Sequence, residues 1–182
     1  MFPVGMKKAF NEVWVGVSTH MQNTNQQIGW PKGFRSSGIS AGIKADGSLD
    51  MELIYSDVSA AAAGVFTTNQ VCAAPVKLCR AHLVEPQARA IVVNSGVANA
   101  CTGVVGMEAA MLMASQTAGE LACLPEEILV CSTGKIGPQL PMDKIGPGLV
   151  ALADSAAVDQ VDVTARAMMT TDTRSKQVVR DI

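Results

Sequence analysis

Short apolar runs separated by turn residues dominate the first half of the chain, a pattern typical of β-strands. Gly33–Lys44 and Leu49–Val58 flank an Asp-Gly turn, so together they predict a β-hairpin. Further short strands are predicted over Ala61–Thr67 and Val71–Val76, followed by one helical turn over Lys77–Leu83. The first half is therefore expected to be rich in strands.

The second half alternates compact β-branched runs with apolar residues at helical spacing. Ala88–Asn94 and Ile128–Ser132 predict buried strands, and Met107–Leu121 between them predicts a helix. Its expected buried face consists of Met107, Ala110, Met111, Ala114, Ala118 and Leu121. Pro141–Asp154 and Asp159–Met169 predict two more helices. Strands followed by strand–helix–strand–helix indicate an α/β fold, with α+β as the alternative, built from mixed sheets with helices packed on them.

Composition supports one folded domain and narrows the possible partners. Of the 182 residues, 48% are hydrophobic and 16% are charged, a balance that argues against intrinsic disorder. The formal net charge of −2 gives no basic surface for a nucleic acid, and no apolar run is long enough to cross a membrane. Residues 1–30 lack the globular pattern, so we expect a poorly ordered N-terminal extension before a domain over residues 31–182.

Cysteine and histidine do not indicate a metal or redox site. The five cysteines have no C-x-x-C spacing, and we expect them to be small buried apolar residues of a protein in the reducing cytoplasm. The two histidines, His20 and His82, stand alone in the sequence, so surface or capping roles are expected for both. No bound metal is therefore expected.

Three segments combine small residues with hydroxyl or amide side chains where a predicted element ends. Asn94–Gly103 could bind an anion through backbone N–H groups, or could cap the following helix. In Cys131–Gly137, Thr133 and Gly134 could stabilise the oxyanion of a tetrahedral intermediate, or could form an ordinary turn. Met169–Thr173 could bind a polar ligand or end a helix. None of the three supplies a nucleophile with a base beside it.

Six segments, taken in order, resemble the ornithine acetyltransferase family, the bifunctional glutamate N-acetyltransferases and amino-acid acetyltransferases of arginine biosynthesis. The segments are Pro31–Lys44, Gly64–Val76, Ala88–Gly103, Ser132–Gly137, Pro141–Ile145 and Met169–Thr173. No single segment would be specific, but six in register over about positions 31–176 make the resemblance specific.

The resemblance implies a precursor that cleaves itself at an Ala-Thr bond into an α chain and a β chain. The new N-terminal Thr of the β chain is the nucleophile, which takes acetyl from N-acetylornithine and passes it to glutamate in a ping-pong reaction. This sequence matches the α chain and contains no such cleavage stretch. We therefore expect an acyltransferase region that is incomplete at its C-terminal end, inactive as an isolated chain, and partnered by the β chain in an α2β2 assembly.

The resemblance also assigns roles to three residues. Thr133 and Gly134 match the oxyanion-stabilising Thr-Gly pair, and Thr170 matches a substrate-binding position. No cofactor is implied, although acetyl-CoA can be the acetyl donor in bifunctional members. Three positions depart from the family pattern. Val97 replaces a usual Asn, Lys135 replaces a usual apolar residue and is expected to face solvent, and Ser175 replaces a usual Pro.

A catalytically inert fragment or assembly partner is the rival hypothesis, because the nucleophile is missing and Val97 removes a polar side chain. A small-molecule-binding α/β domain unrelated to acetyl transfer remains only if the six matches are accidental. The mean hydropathy of +0.25 favours a covered apolar surface, so the isolated chain is expected to self-associate.

Overall fold

A single four-stranded mixed sheet forms the centre of the protein, in the spatial order β1-β2-β3-β4. The computed structural model describes residues 31–158 and 160–178. The strands are β1 (Phe34–Ile39), β2 (Met51–Ala61), β3 (Gln87–Val97) and β4 (Ile128–Lys135). The first three pair antiparallel, whereas β3 and β4 pair parallel. The mixed α/β class expected from the sequence is confirmed.

Four α-helices and one 3-10 turn surround the sheet within the described residues. They are α1 (Ala74–His82), α2 (Gly103–Leu121), the 3-10 turn Pro125–Glu127, α3 (Met142–Ser155) and α4 (Val161–Ala167). Because β3 and β4 are parallel, α2 serves as the crossover helix between them. Helices α2 and α3 contact each other, and α1 contacts both β4 and α2.

The main core lies between one face of the sheet and helices α2 and α3. Met51, Leu53, Val92 and Val130 point from the strands toward these helices, and each is at most 1% exposed. Helix α4 covers the opposite face at β1 and β2. It packs so closely on β1 that a Cβ at Gly38 would lie 2.9 Å from the Val163 carbonyl oxygen. The sheet is therefore covered on both faces at β1 and β2.

The predicted hairpin is confirmed, but its loop is wider than an Asp-Gly turn. Ile39 pairs with Met51, so residues 40–50 form the connection. The Asp50 carboxylate organises this loop by accepting hydrogen bonds from the backbone N–H groups of Ala41, Ile43 and Lys44, at 2.7, 2.6 and 3.0 Å.

The third and fourth predicted strands are wrong. Strand β2 ends at Ala61, and within residues 62–70 no strand is formed. The alanines of that run have weak strand preference, and no neighbouring strand pairs with them. Val71–Val76 was also predicted to be a strand, but Pro75 lies in the first turn of α1, where its fixed φ favours a helix. The predicted helical turn is part of this longer helix.

The predicted strands and helices of the second half are confirmed with shifted ends. Strands β3 and β4 each run three residues beyond their predicted last residue, and α2 begins at Gly103. Most of the predicted α2 face is buried or packs on the core, but Met111 is 54% exposed and Met113 is fully buried instead. Helix α4 ends at Ala167, two residues before the prediction, and Asp159 and the proposed extension over residues 1–30 lie outside the described residues.

Two glycines of α2 give a matched test of this packing. A Cβ at Gly106 would lie 1.9 Å from Thr102 Oγ1 and 2.4 Å from Asn99 Oδ1, whereas a Cβ at Gly119 would meet nothing within 4 Å. We expect Gly106→Ala to destabilise the fold by about 1–3 kcal/mol through overpacking. Gly119→Ala should stabilise it by about 0.5–1 kcal/mol, because alanine favours a helix. Urea unfolding of both variants measures the difference, and equal effects would contradict the packing described.

Candidate active site

The parallel pairing of β3 and β4 brings two of the sequence-predicted segments together. Ser95 is the register partner of Thr133, and Gly96 is the partner of Gly134. The polar end of β3 therefore lies directly beside the Thr-Gly pair. Thr133 and Gly134 are inside β4 rather than in a turn after it, so the alternative of an ordinary turn is wrong.

Gly134 is required by the close approach of the two strands. A Cβ at this position would lie 2.3 Å from the Gly96 carbonyl carbon and 2.7 Å from the Val97 nitrogen. Its φ of +131° is also one that side chains other than glycine rarely adopt. Two independent constraints, space and backbone conformation, thus select glycine beside Thr133.

Among the described residues, no strand pairs with the outer edge of β4, its free edge, and the Gly134 N–H points toward it. Along this edge, the Cys79 thiol of α1 donates to the Val130 carbonyl at 3.1 Å and accepts from the Val130 N–H at 3.2 Å. Lys135, in contrast, accepts from the Ala98 N–H on the β3 side. Because alternate residues of a parallel strand direct their backbone groups to opposite sides, Gly134 shares the outward direction of Val130. Its N–H is therefore placed to bind an external oxygen.

A segment following α4 crosses the sheet next to Thr133. We call residues 167–170 the strap. Ser95 Oγ donates to the Ala167 carbonyl at 2.5 Å, and Lys44 Nζ donates to the Met169 carbonyl at 2.6 Å. Since Ser95 is the neighbour of Thr133, the strap and its exposed Thr170 are held at the same end of the sheet as the Thr-Gly pair.

Lys44 connects the strap to the wide hairpin loop. Its ammonium donates to the Leu49 carbonyl at 2.7 Å as well as to Met169. Burial lowers the pKa of Lys44, while the carboxylate of Asp50 opposes that shift. Lys44 thereby joins the hairpin loop to the strap, and Ser95 joins the strap to the end of β3, in each case by a hydrogen bond to a backbone carbonyl.

The Asn94–Gly103 segment uses its amide side chains internally. Asn94 Nδ2 donates to the Val97 carbonyl at 2.8 Å and its Oδ1 accepts from Ser132, while Asn99 Nδ2 donates to the Gly106 carbonyl at 2.8 Å. The N-terminus of α2 has no side-chain cap, so the capping prediction is wrong. Asn94 and Asn99 instead fix the ends of β3 and of the following loop.

A cavity of about 500 Å³ opens beside this loop, between the N-terminal ends of α1 and α2. Its walls include Cys72, Lys77, Cys101 and Met107. The cavity lies next to the predicted anion-binding segment, and anion binding there stays a prediction.

Of the remaining single-residue predictions, some fall beside the Thr-Gly pair and others lie away from it. Lys135 is exposed as expected, and Val97 is half-buried. His82 Nδ1 lies 2.8 Å from the Ile128 carbonyl, at the last turn of α1.

Among the cysteines, Cys79 is buried and Cys101 is exposed, so the expectation of buried cysteines holds only in part. Burial raises the pKa of the Cys79 thiol to about 11.

Within residues 31–158 and 160–178, no group of three or more His, Cys, Asp or Glu side chains could hold a metal ion. In the same part of the chain, no helix is both long and apolar enough to span a membrane.

Glu52 is the residue near this site that the sequence did not reveal. It is fully buried, and neither carboxyl oxygen has a hydrogen-bond partner among the described residues. Burial raises its pKa from 4.5 to about 8, with the Lys44 ammonium and the Met168 N–H opposing that shift. A single glutamate between Met51 and Leu53 is expected to point to solvent by strand alternation, so local pattern conceals its burial.

Comparison with known proteins places the chain in a family. The family model described as the ArgJ family matches residues 35–182. The chain belongs to the ArgJ family. The resemblance drawn from the six sequence segments is thereby confirmed.

Similar proteins include arginine biosynthesis bifunctional proteins ArgJ. That of Thermosynechococcus vestitus is 45% identical over 161 residues, covering 88% of this chain and 38% of the relative. That of Geobacter sulfurreducens is 51% identical over 152 residues, covering 82% of this chain and 38% of the relative. The chain therefore spans less than two fifths of the length of these relatives.

The fold is also similar to solved structures. The ornithine acetyltransferase of Mycobacterium tuberculosis, crystallised in complex with ornithine, matches with a TM-score of 0.79 and 42% identity over 82% of both chains. The arginine biosynthesis bifunctional protein of Bacillus halodurans matches with a TM-score of 0.73 and 37% identity, covering 79% of this chain and 75% of that one. The α/β architecture around the candidate site is thus that of the family.

Gly134 and Gly137 provide a test of the β3–β4 contact. Both have positive φ values, +131° and +105°, but only Gly134 is crowded, since a Cβ at Gly137 would meet nothing within 4 Å. Gly137→Ala should cost about 1–2 kcal/mol through backbone strain alone. Gly134→Ala should cost about 1–3 kcal/mol more, because its Cβ would force β3 and β4 apart. Denaturant unfolding measures both, and a Gly134→Ala effect no larger than that of Gly137→Ala would contradict the close approach.

Proposed function

We propose that this chain is the α-chain part of a glutamate N-acetyltransferase, which moves an acetyl group from N-acetylornithine to glutamate in arginine biosynthesis. Thr133 and Gly134 would stabilise the oxyanion, and Thr170 would contact the substrate. The observation that carries the proposal is the juxtaposition of the Thr-Gly pair with the strap, in a chain 42% identical to an ornithine acetyltransferase crystallised with ornithine.

The geometry suits stabilisation of a developing negative charge. The Gly134 N–H faces the free edge of β4, and no hydrogen bond joins the half-buried Thr133 hydroxyl to another described residue. A backbone N–H held in a strand does not have to reorganise when charge forms, which is the requirement for an oxyanion donor. Thr133 and Gly134 can thus supply two adjacent donors.

The nucleophile in this proposal is the N-terminal Thr of a second chain. Its hydroxyl oxygen attacks the acetyl carbonyl of N-acetylornithine while its own amine accepts the hydroxyl proton. Collapse of the tetrahedral intermediate breaks the bond to nitrogen and releases ornithine, which takes up the proton. The amine of glutamate then attacks the acetyl-Thr ester in the same way. No redox or cofactor chemistry is required, and acetyl-CoA would serve as an alternative acetyl donor.

The lengths of the compared chains support a two-chain enzyme. This chain covers 38% of the Thermosynechococcus vestitus relative but 82% of the crystallised Mycobacterium tuberculosis chain. The crystallised chain is therefore much shorter than the full relative. Division of the enzyme into an α chain and a β chain accounts for that difference in length. The two chains would assemble as α2β2 in the cytoplasm.

Apolar side chains on both sides of the site favour a covering chain there. Ile136 follows Gly134 by two residues and is 66% exposed, while Met168 precedes Thr170 by two residues and is 46% exposed. Exposed apolar groups beside polar ones are typical of an interface. The covering β chain would bring its nucleophile to the edge where Gly134 lies.

The test is to combine this chain with the complementary C-terminal segment of the Geobacter sulfurreducens relative and assay acetyl transfer from N-acetylornithine to glutamate. Thr133→Ala should lower kcat by about 10²–10³-fold, since one oxyanion donor is removed. Thr133→Ser keeps the hydroxyl and should retain most of the rate.

Two outcomes would contradict the proposal. An active complex in which Thr133→Ala leaves kcat unchanged would exclude the oxyanion role. A stable complex with no acetyl transfer would favour the alternative, a catalytically inert fragment or assembly partner.

A further inference from the structure

Glu52 is a buried carboxyl group that the proposed reaction does not use. It lies on β2, opposite Gly38 of β1 and Val93 of β3. Its side chain is on the sheet face that carries α4 and the strap, since the neighbouring Met51 and Leu53 point into the core on the other face. The residue is fully buried.

The strap and α4 together cover this carboxyl group. The Met168 backbone N–H lies near the Glu52 carboxyl group and favours its ionised form, but without the geometry of a hydrogen bond. The strap is fastened on either side of Met168, by Ser95 at Ala167 and by Lys44 at Met169. Neither Glu52 oxygen gains a hydrogen bond from any of these groups. Burying an unpaired charge costs much more than burying a neutral carboxyl group, so the closed strap favours protonated Glu52.

The other charged or titratable groups on the elements around Glu52 belong to the hairpin loop, β4 and α4. The Lys44 ammonium favours the ionised carboxyl, and the Cys131 thiol of β4 interacts with it and is itself kept neutral by burial. The Asp50 carboxylate is engaged by three backbone N–H groups. On α4, Asp162 and Arg166 pair with each other at the surface. None of them pairs directly with Glu52.

We propose that Glu52 is a positioning residue, whose protonated side chain lets the strap lie closed on the sheet and whose ionisation favours release of the strap. Release would move Thr170 away from Thr133. The importance of strap release for catalysis rests on the proposed function, in which Thr170 contacts the substrate. The strap equilibrium itself does not depend on any acetyl transfer.

The sign of the pH dependence follows from the two pKa values. With the strap closed the pKa of Glu52 is about 8, and with the strap open and the carboxyl in water it returns to about 4.5. The closed strap is therefore fully favoured below pH 4.5 and loses that advantage as the pH rises. Between about pH 5 and pH 8, opening should become about tenfold more favourable per pH unit, and it should level off above pH 8.

The experiment is hydrogen exchange of the 182-residue chain from pH 5 to pH 9, with rates corrected for the intrinsic effect of pH. Peptides covering residues 161–173 report on the strap, and peptides from α2 on the opposite face are the internal control. In the unmodified chain we expect exchange of the strap peptides to rise by about tenfold per pH unit up to pH 8, while that of α2 rises less.

Glu52→Gln is the matched variant, because an amide cannot ionise but has a similar shape. It should abolish the dependence of strap exchange on pH between about pH 5 and pH 8. Equal slopes in the two chains would overturn the proposal. Should the variant fail to fold, the unmodified chain still decides, since strap peptides that track α2 from pH 5 to pH 8 would overturn it too. A failed acetyl-transfer assay, in contrast, would affect only the proposed function.

Discussion

The close parallel contact between Gly96 and Gly134 is the constraint on which the candidate site depends. Because Gly134 carries no Cβ, it can lie against the Gly96 carbonyl group, and the two strands stay in register to their ends. Ser95 is thereby fixed beside Thr133, and the Gly134 N–H is fixed at the outer edge of β4. The strap depends on the same contact, since Ser95 is one of its two anchors.

Under the proposed function, this chain builds only one side of the active site. Strands β3 and β4, the strap and the wide hairpin loop provide hydrogen-bond donors and hydroxyl groups, held by backbone contacts through Lys44 and Asp50. They provide no nucleophile paired with a base. Exposed Ile136 and Met168 lie beside these groups, so the polar wall and the surface that another chain would cover are the same region. In the proposed enzyme, assembly and catalysis would thus be coupled by position.

Much of the fold could be predicted from sequence, and the failures have physical causes. The β-branched centres of β3 and β4 and the periodicity of α2 identified those elements. The ends of β3 and β4 were missed because backbone hydrogen bonds continue a strand through polar and small residues such as Ser95 and Thr133, whatever their side chains. The strands predicted between residues 61 and 76 failed because no partner strand was available and because Pro75 starts a helix. The segments of the site were identified singly, but their convergence depends on register, and the burial of Glu52 depends on α4 and the strap more than 100 residues away.

If this chain forms one wall of a shared active site, N-acetylornithine should bind only where both walls are present, and calorimetric titration measures that binding. The titration compares the chain alone with its complex with the complementary C-terminal segment of a relative. The account predicts saturable binding by the complex and none by either part alone, with binding weakened by Thr170→Ala in the complex. Saturable binding of the same strength by the isolated chain would contradict it, because the wall described here would then be a complete site.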